Sequence, residues 1–384
     1  MRYTIHEVTS INDLKKFIKF PNKLYCGNKY YVPPLFSTEL ETLSVEKNPA
    51  FEFCDAKYWL AYNENNTIVG RIAGIVNHKY NKKTGEKYVS FGWFDLIDDY
   101  NVAKALLQTV ESWAIEKEAV SIHGPLGLSE FDASGVLIKG FNEIPTAYGK
   151  YNFPYYSEFI ERLGYEKEVD WVELRVTVPN SMPERYPKMA KMISERYNLR
   201  SIKFSTKKEV LSYSEEIFQL MNKEYENIHG FYALSPGQIN ALKKQFIPFI
   251  RLKYISVIVN SDNNVVGFGI CLPSLSKALQ KCRGKLFPFG FLHIIKALYH
   301  NDTIDTLLIA IHSEYRDKGV NALIFNDIGS SIVSDKMKYI ETTRELEDNF
   351  LVQNLWSKLE SREHKRARCY IKPVMALSRI LCKR

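Results

Sequence analysis

The sequence predicts a mixed α/β fold, α+β in character with a mixed sheet, built twice in tandem, and three observations lead to it. At 384 residues the chain is longer than one hydrophobic core usually serves, and a norm of ~150 residues per domain points to two units. Helix and strand patterns interleave along the whole length instead of segregating. The second half also repeats the element order of the first, down to a hairpin whose returning strand opens Val69-Gly70 in one half and Val266-Gly267 in the other. Such self-similarity is the mark of an internal duplication.

In the first half, Tyr3 to Val8 has strand character, and Ser10 and Asp13 open a helix through Leu14, Phe17 and Ile18. A short helix follows Pro33-Pro34. Strands Tyr58 to Tyr62 and Ile68 to Val76 flank Asn63-Glu64-Asn65-Asn66-Thr67, a polar segment of turn-forming residues that reads as a hairpin. Val89 to Ile97 is a strand, and Asp98-Asp99 opens a helix carrying Val102, Leu106, Val110 and Trp113 at helical spacing. Val120 to His123 is a return strand, and a Gly/Pro-rich stretch leads to a helix around Tyr156, Phe159, Ile160 and Leu163. A last strand, Trp171 to Val178, completes the expected unit.

Pro179, Pro183 and Pro187 punctuate the next stretch, which places the boundary near residue 180, with units at 1–180 and 181–384. A polar helix over Met189 to Tyr197 bridges to the second unit, where the order repeats: strand Ser201 to Phe204 and helix Ser214 to Tyr225. Ser235-Pro236-Gly237-Gln238 follows, matching a capping box with proline at the first helical position. A hairpin spans Tyr254 to Val259 and Val265 to Leu272. Strand Thr306 to Ile311, helix Gly319 to Val333, strand Lys338 to Thr342, helix Asn349 to Leu359 and strand Arg368 to Ile371 complete the series.

The composition is that of a folded chain, 45% apolar and 25% charged. No apolar run reaches the ~18 residues of a spanning helix, and the start lacks a signal peptide's apolar core. A cytoplasmic location is the expectation. Cys26, Cys54, Cys271, Cys282, Cys369 and Cys382 form no Cys-x-x-Cys pair, so they read as free thiols and no metal is expected. A net charge of +8 favours anionic partners. The 24 Tyr and 22 Phe fall within core patterns, so no nucleic-acid partner is expected.

The chemistry concentrates where strand Leu307 to His312 runs through Arg316-Asp317-Lys318-Gly319-Val320-Asn321 into a helix with Val320, Leu323, Ile324, Ile328 and Ile332 on one face. A strand, a glycine turn and a helix N-terminus aim backbone N–H groups and a positive dipole end at one spot, which suits a pyrophosphate. A turn glycine beside a solvated basic pair would look the same. The matching junction of the first half carries Asp98 and Asp99, whose carboxylates would repel an anion, so the N-terminal copy is expected to hold no cofactor.

Arg316-x-x-Gly319-x-Asn321 in this setting resembles the acetyl-CoA signature of the GNAT superfamily, Gln/Arg-x-x-Gly-x-Gly/Ala, with Asn321 in place of the usual small residue. Tyr31-Val32-Pro33-Pro34-Leu35, Asn48-Pro49-Ala50-Phe51, Val69-Gly70-Arg71-Ile72-Ala73 and Tyr151-Asn152-Phe153-Pro154-Tyr155-Tyr156 resemble a bacterial family of two-domain GNAT-like proteins. That wider family includes bacterial ceramide synthase. The resemblance implies a tandem duplication of the GNAT acyl-CoA N-acyltransferase fold. It also implies coenzyme A or acyl-CoA as donor, held by Ile311, His312, Ser313, Arg316, Lys318, Gly319, Val320, Asn321 and Ala322. The acceptor is then an amine, with a long-chain lipid amine such as a sphingoid base as candidate.

Acyl transfer to an amine needs a base, oxyanion donors and an acid for the thiolate. Glu341 on the strand after the phosphate helix is the candidate base and His312 its rival, while the resemblance puts the oxyanion donors among the amides near His312 and Ser313. GNAT proteins often take a Tyr acid from the next helix; Asn349 to Leu359 has none, which leaves Tyr370. His229, Phe231 and Tyr232 are candidate acceptor contacts. The insertion Ser274 to His300 sets Lys277, Lys281, Arg283 and Lys285 beside an aromatic and aliphatic run, Leu286 to Lys296, which fits peripheral contact with the inner membrane face or, equally, cover for the core or an acyl tunnel. Arg362, Lys365, Arg366, Arg368, Lys383 and Arg384 form a second basic cluster. Two other readings stay open: a degenerate tandem module that binds acyl-CoA or lipid without turnover, and a Fem-like transferase that takes an aminoacyl group from tRNA.

Overall fold

The computed structural model describes residues 3–374. The first half contains β1 (Thr4–Glu7), α1 (Ile11–Leu24), α2 (Phe36–Thr42), β2 (Cys54–Tyr62), β3 (Ile68–Asn77), α3 (His78–Thr84), β4 (Tyr88–Leu96), α4 (Tyr100–Glu116), β5 (Ser121–Gly124), β6 (Val136–Lys139), α5 (Tyr155–Arg162) and β7 (Glu166–Thr177). The second contains α6 (Arg185–Tyr197), β8 (Arg200–Ser201), α7 (Lys207–Ser212), α8 (Ser214–Glu224), α9 (Pro236–Phe246), β9 (Ile255–Val259), β10 (Val265–Pro273), α10 (Ser276–Cys282), α11 (Gly290–Tyr299), β11 (Thr303–Ile311), α12 (Asn321–Ser334), β12 (Tyr339–Thr342), β13 (Glu345–Leu346), α13 (Phe350–Gln353) and β14 (Ser361–Pro373). Local chemistry sets the boundaries. Ser10 and Asp99 cap α1 and α4 through their side chains, and Ser235 and Gln238 close the capping box that opens α9.

One continuous sheet runs in the order β1-β2-β3-β4-β5-β14-β7-β12-β11-β10-β9-β8. The last strands of the two halves are exchanged. β7 pairs with β12 of the second half and β14 pairs with β5 of the first, while β7 and β14 lie side by side at the centre. Each half packs its own core on its stretch of sheet. One gathers Phe91, Phe94, Leu106, Val110 and Trp113 around α4, and the other gathers Ile258, Val266, Ile304, Leu323 and Ile324 around α12.

Three expectations change. β7 and β14 are longer than their apolar patterns suggested, because much of their length is charged. Arg368 bonds Asp170 and Arg366 bonds Asp170, Glu347 and Glu363, so ion pairs take the place of an apolar strand pattern. Arg362 pairs with Glu143 and the buried Lys365 with Glu173. Each of the four is therefore engaged in an ion pair, Lys365 buried and Arg362 exposed; Lys383 and Arg384 lie outside the described residues. Finally, the helix expected over Asn349 to Leu359 stops at Gln353 and continues as turns, with Trp356 drawn against Phe325 and Glu345. No described helix is long and apolar enough to cross a membrane.

Candidate functional site

β11 and β12 run parallel but pair only from Thr303–Tyr339 to Thr306–Thr342. Beyond that point β11 continues to Ile311, whereas the chain after β12 turns away to place β13 on β7. A wedge opens between them, leaving the β11 backbone beyond Thr306 without a neighbouring strand on that side among the described residues, and buried backbone groups need partners. Tyr225, just past α8, reaches in and donates its hydroxyl to the Ile309 carbonyl at 2.9 Å. The wedge widens into a cavity of about 650 Å³, well inside the range of small-molecule sites. Its apolar wall includes Leu308, Ile324, Ile328, Ile332 and Trp356, and Arg316, Asp317 and Asn321 stand at one mouth.

The first half has the same parting of strands, since β4 and β5 pair only at Tyr88–Ser90 with Ser121–His123. There the protein fills the gap itself. Leu126 N–H bonds Phe91 O, Lys150 bonds Phe94 O at 2.8 Å, and Tyr155 bonds Leu96 O at 2.8 Å. Leu96 N–H reaches the Tyr156 hydroxyl at 3.0 Å, and the buried Arg71–Asp95 pair packs behind. Asp99 caps α4 with its carboxylate.

At the mouth of the second wedge, Gly319 has φ 75°, and a Cβ there would lie 2.9 Å from Ile193 Cδ1. The turn therefore demands glycine on conformation and on space. Ala322 and Leu323 N–H bond back to Gly319 and Val320 carbonyls, while the amides at the very start of α12 have no carbonyl before them in the helix. Arg316 pairs with Glu224, which also accepts the Ser313 amide at 3.0 Å. His312 accepts the Glu314 amide on Nδ1, and Lys223 Nζ lies 2.9 Å from its Nε2. Both ring nitrogens are engaged, and the His312 and Ser313 amides, near which the oxyanion donors were expected, already bond Val266 O and Glu224. Ile311, Lys318, Val320 and Ala322 sit around the same turn, the last two buried.

The other catalytic candidates are placed elsewhere. Side chains alternate along β12, so Ile340 faces the cavity while Glu341 faces away, buried and held by Arg175 at 3.0 Å. Tyr370 lies in the first half's core and donates to Glu161 at 2.8 Å; the strand exchange carries it away from the turn. Phe231 lines the cavity, Tyr232 bonds Leu128 O at 2.7 Å between the halves, and His229 stands beside Glu168.

Sequence reading missed Glu345. Its side chain is in the cavity wall, Oε1 accepts Trp356 Nε1–H at 3.2 Å, and among the described residues Oε2 is buried without a hydrogen-bond partner. Burial pushes its pKa up to about 7 from the usual value near 4.5, against the lowering effect of the Trp356 hydrogen bond and of the nearby Thr342 hydroxyl. Neighbouring Arg344 donates Nη2 to Asp132 O at 2.8 Å and keeps Nη1 buried and unbonded. Glu130, in the same wall, is also shifted upward by burial, opposed by Arg344 and His229.

No family model matches the chain. Protein YghO of Escherichia coli K12 is 28% identical over 372 residues, covering 94% of this chain and 93% of that protein. A bacterial ceramide synthase of Caulobacter vibrioides is 25% identical over 290 residues, covering 74% and 73%. Among solved structures, a tandem GNAT protein from the clavulanic acid biosynthesis pathway matches 97% of this chain and 99% of its own, with TM-score 0.57 and 10% identity. The fold is a tandem GNAT fold, as the signature and the repeated element order imply.

Proposed function

We propose that this protein is an N-acyltransferase that moves an acyl group from a coenzyme A thioester to an amine, that the acyl chain is long, and that the acceptor is a lipid amine such as a sphingoid base. The cavity carries this reading, because it joins a basic glycine turn suited to phosphate, an open strand edge suited to an amide-bearing arm, and an apolar channel suited to a hydrocarbon chain. Similarity to a ceramide synthase over about three quarters of both chains supports the lipid acceptor. The donor site belongs to the second unit, residues 181–384, and the first unit, 1–180, serves without one, its own wedge being filled by Lys150, Tyr155 and Tyr156.

Glu345 is the base. Its free oxygen takes one proton of the bound ammonium, the amine nitrogen attacks the thioester carbon and forms the C–N bond, the C–S bond breaks with its electron pair leaving on sulfur, and the surplus proton on nitrogen passes to that thiolate, giving the amide and CoA thiol. Arg316 and Lys318 position the donor. Titration with CoA tests this placement: Arg316→Glu and Lys318→Glu should each weaken binding at least tenfold, roughly 1.4 kcal/mol. Unchanged affinity in both variants would remove the phosphate site from this turn.

The segment around α11 supports peripheral membrane contact. Phe287 and Phe289 are 81% and 70% exposed, Leu292, Ile295 and Tyr299 are exposed beside them, and Ile294 anchors the helix to the body. Lys281, Arg283, Lys285 and Lys296 flank these residues, the pattern of an interfacial anchor. The double variant Phe287→Ser, Phe289→Ser should reduce co-sedimentation with anionic phospholipid vesicles about 100-fold, since two phenyl groups entering the interface contribute about 3 kcal/mol. Equal co-sedimentation would contradict this contact.

A further inference from the structure

A second cluster of chemistry lies at the centre of the sheet, away from the acyl cavity. Its strands are those brought together by the exchange: β5 supplies His123, β14 supplies Cys369 and β7 supplies Glu168, while His229 comes from the loop after α8. The β14–β7 register shifts between Cys369 and Tyr370, pairing them with Val169 and Lys167, so Glu168 is the residue passed over. A bulge of this kind re-aims a side chain, and the Glu168 carboxylate sits among the other three groups. Its oxygens lie 3.2 Å from His123 Nδ1, 3.7 Å from His229 Nε2 and 3.1 Å from Cys369 Sγ.

Glu168 hydrogen-bonds His123 and Cys369, but its contact with His229 is longer than a hydrogen bond. Among the described residues, His229 Nε2 is buried with no hydrogen-bond partner. Donor atoms of His123, Glu168 and His229 all fall within 4.8 Å of one another. Around a tetrahedral centre with metal–ligand bonds of roughly 2.0–2.3 Å, neighbouring ligands stand roughly 3.3–3.8 Å apart. The support is also in place, since Ser90 Oγ lies 2.8 Å from His123 Nε2 and fixes the ring from behind, and Tyr80 and Tyr88 stack on it. Two imidazoles and a carboxylate make a donor set for zinc-like ions rather than calcium or magnesium. The Glu130 and Asp348 carboxylates act on His229 as well and add to the attraction for a cation.

We propose that His123, Glu168 and His229 form a three-residue site for a divalent transition metal of the zinc type. The ion would tie the loop carrying His229 to the exchanged strands. Asn227, Ile228 and Phe231 of that loop line the acyl cavity, so metal binding would set the cavity's wall without entering it. The site does not depend on the reaction proposed above, and it is tested without reference to turnover.

Untagged protein, stripped with chelator and dialysed, is titrated with Zn(II) by calorimetry and with Co(II) by absorption spectroscopy. We expect one ion per chain with a dissociation constant below about 1 μM and, with Co(II), d–d bands in the visible. His229→Asn, on a loop, and Glu168→Gln, of the same shape as the native residue, should each weaken binding at least about 100-fold and lose those bands. Failure of the wild type to take up either ion would overturn the proposal, leaving a histidine–carboxylate ion pair, as would wild-type affinity in both His229→Asn and Glu168→Gln.

Discussion

Glu345→Gln should lower kcat by 10²–10⁴-fold, the usual contribution of a positioned general base, while leaving the fold intact. Glutamine keeps the shape and can still accept the Trp356 N–H, so a loss of rate reports on the proton and not on packing. On this proposal the wild-type protein should show kcat/KM rising with pH through about 7 as Glu345 ionises, and the variant should lack that limb. Stability moves the other way. A carboxyl whose folded pKa is raised prefers to stay neutral, so its presence costs stability progressively as pH rises from about 4.5, its ordinary value, through about 7. At about 1.36 kcal/mol per unit the cost at pH 8 reaches about 3 kcal/mol. Glu345→Gln should therefore melt higher than wild type at pH 8 and nearly equally at pH 4. A variant that keeps its rate and its pH limb would move the base elsewhere, with Glu130 next.

Chain length should dominate donor affinity. Each methylene taken from water into the channel contributes ~0.8 kcal/mol, so about four enclosed methylenes are worth ~3 kcal/mol, or roughly 200-fold. Palmitoyl-CoA should accordingly bind at least 100-fold more tightly than acetyl-CoA by calorimetry. Ile328→Trp, which puts a large ring into the channel wall, should erase most of the difference while leaving CoA affinity unchanged. Equal affinities for the two thioesters would mean that the apolar channel does not hold the acyl chain.

Much of the fold was legible because it rests on local signals. The two hairpins, the Ser235–Gln238 box and the apolar faces of α4 and α12 each declare themselves within a short continuous stretch of chain. The strand exchange does not, because the partner of a strand is a property of the whole sheet and β7 and β14 carry charges where a central strand is usually apolar. The glycine turn was visible for the same local reason: Gly319 adopts the left-handed conformation that a strand-to-helix turn of this kind requires. The catalytic candidates were harder. Glu341 and Glu345 lie on one short stretch of chain, and only the departure of β13 to β7 decides that the second faces the cavity while Arg175 holds the first. His123, Glu168, His229 and Cys369 are dispersed along the sequence, so no spacing rule could assemble them.

The most direct measurement is release of CoA thiol from palmitoyl-CoA by wild-type protein, with and without a long-chain amine, alongside mass-spectrometric detection of the amide. Release that requires the amine and matches amide formed, mole for mole, is the predicted result. Tight thioester binding with neither release nor amide would make the protein a binding module, and absence of thioester binding together with salt-sensitive tRNA binding would make it a Fem-like transferase; either would contradict acyl-CoA-dependent N-acyl transfer.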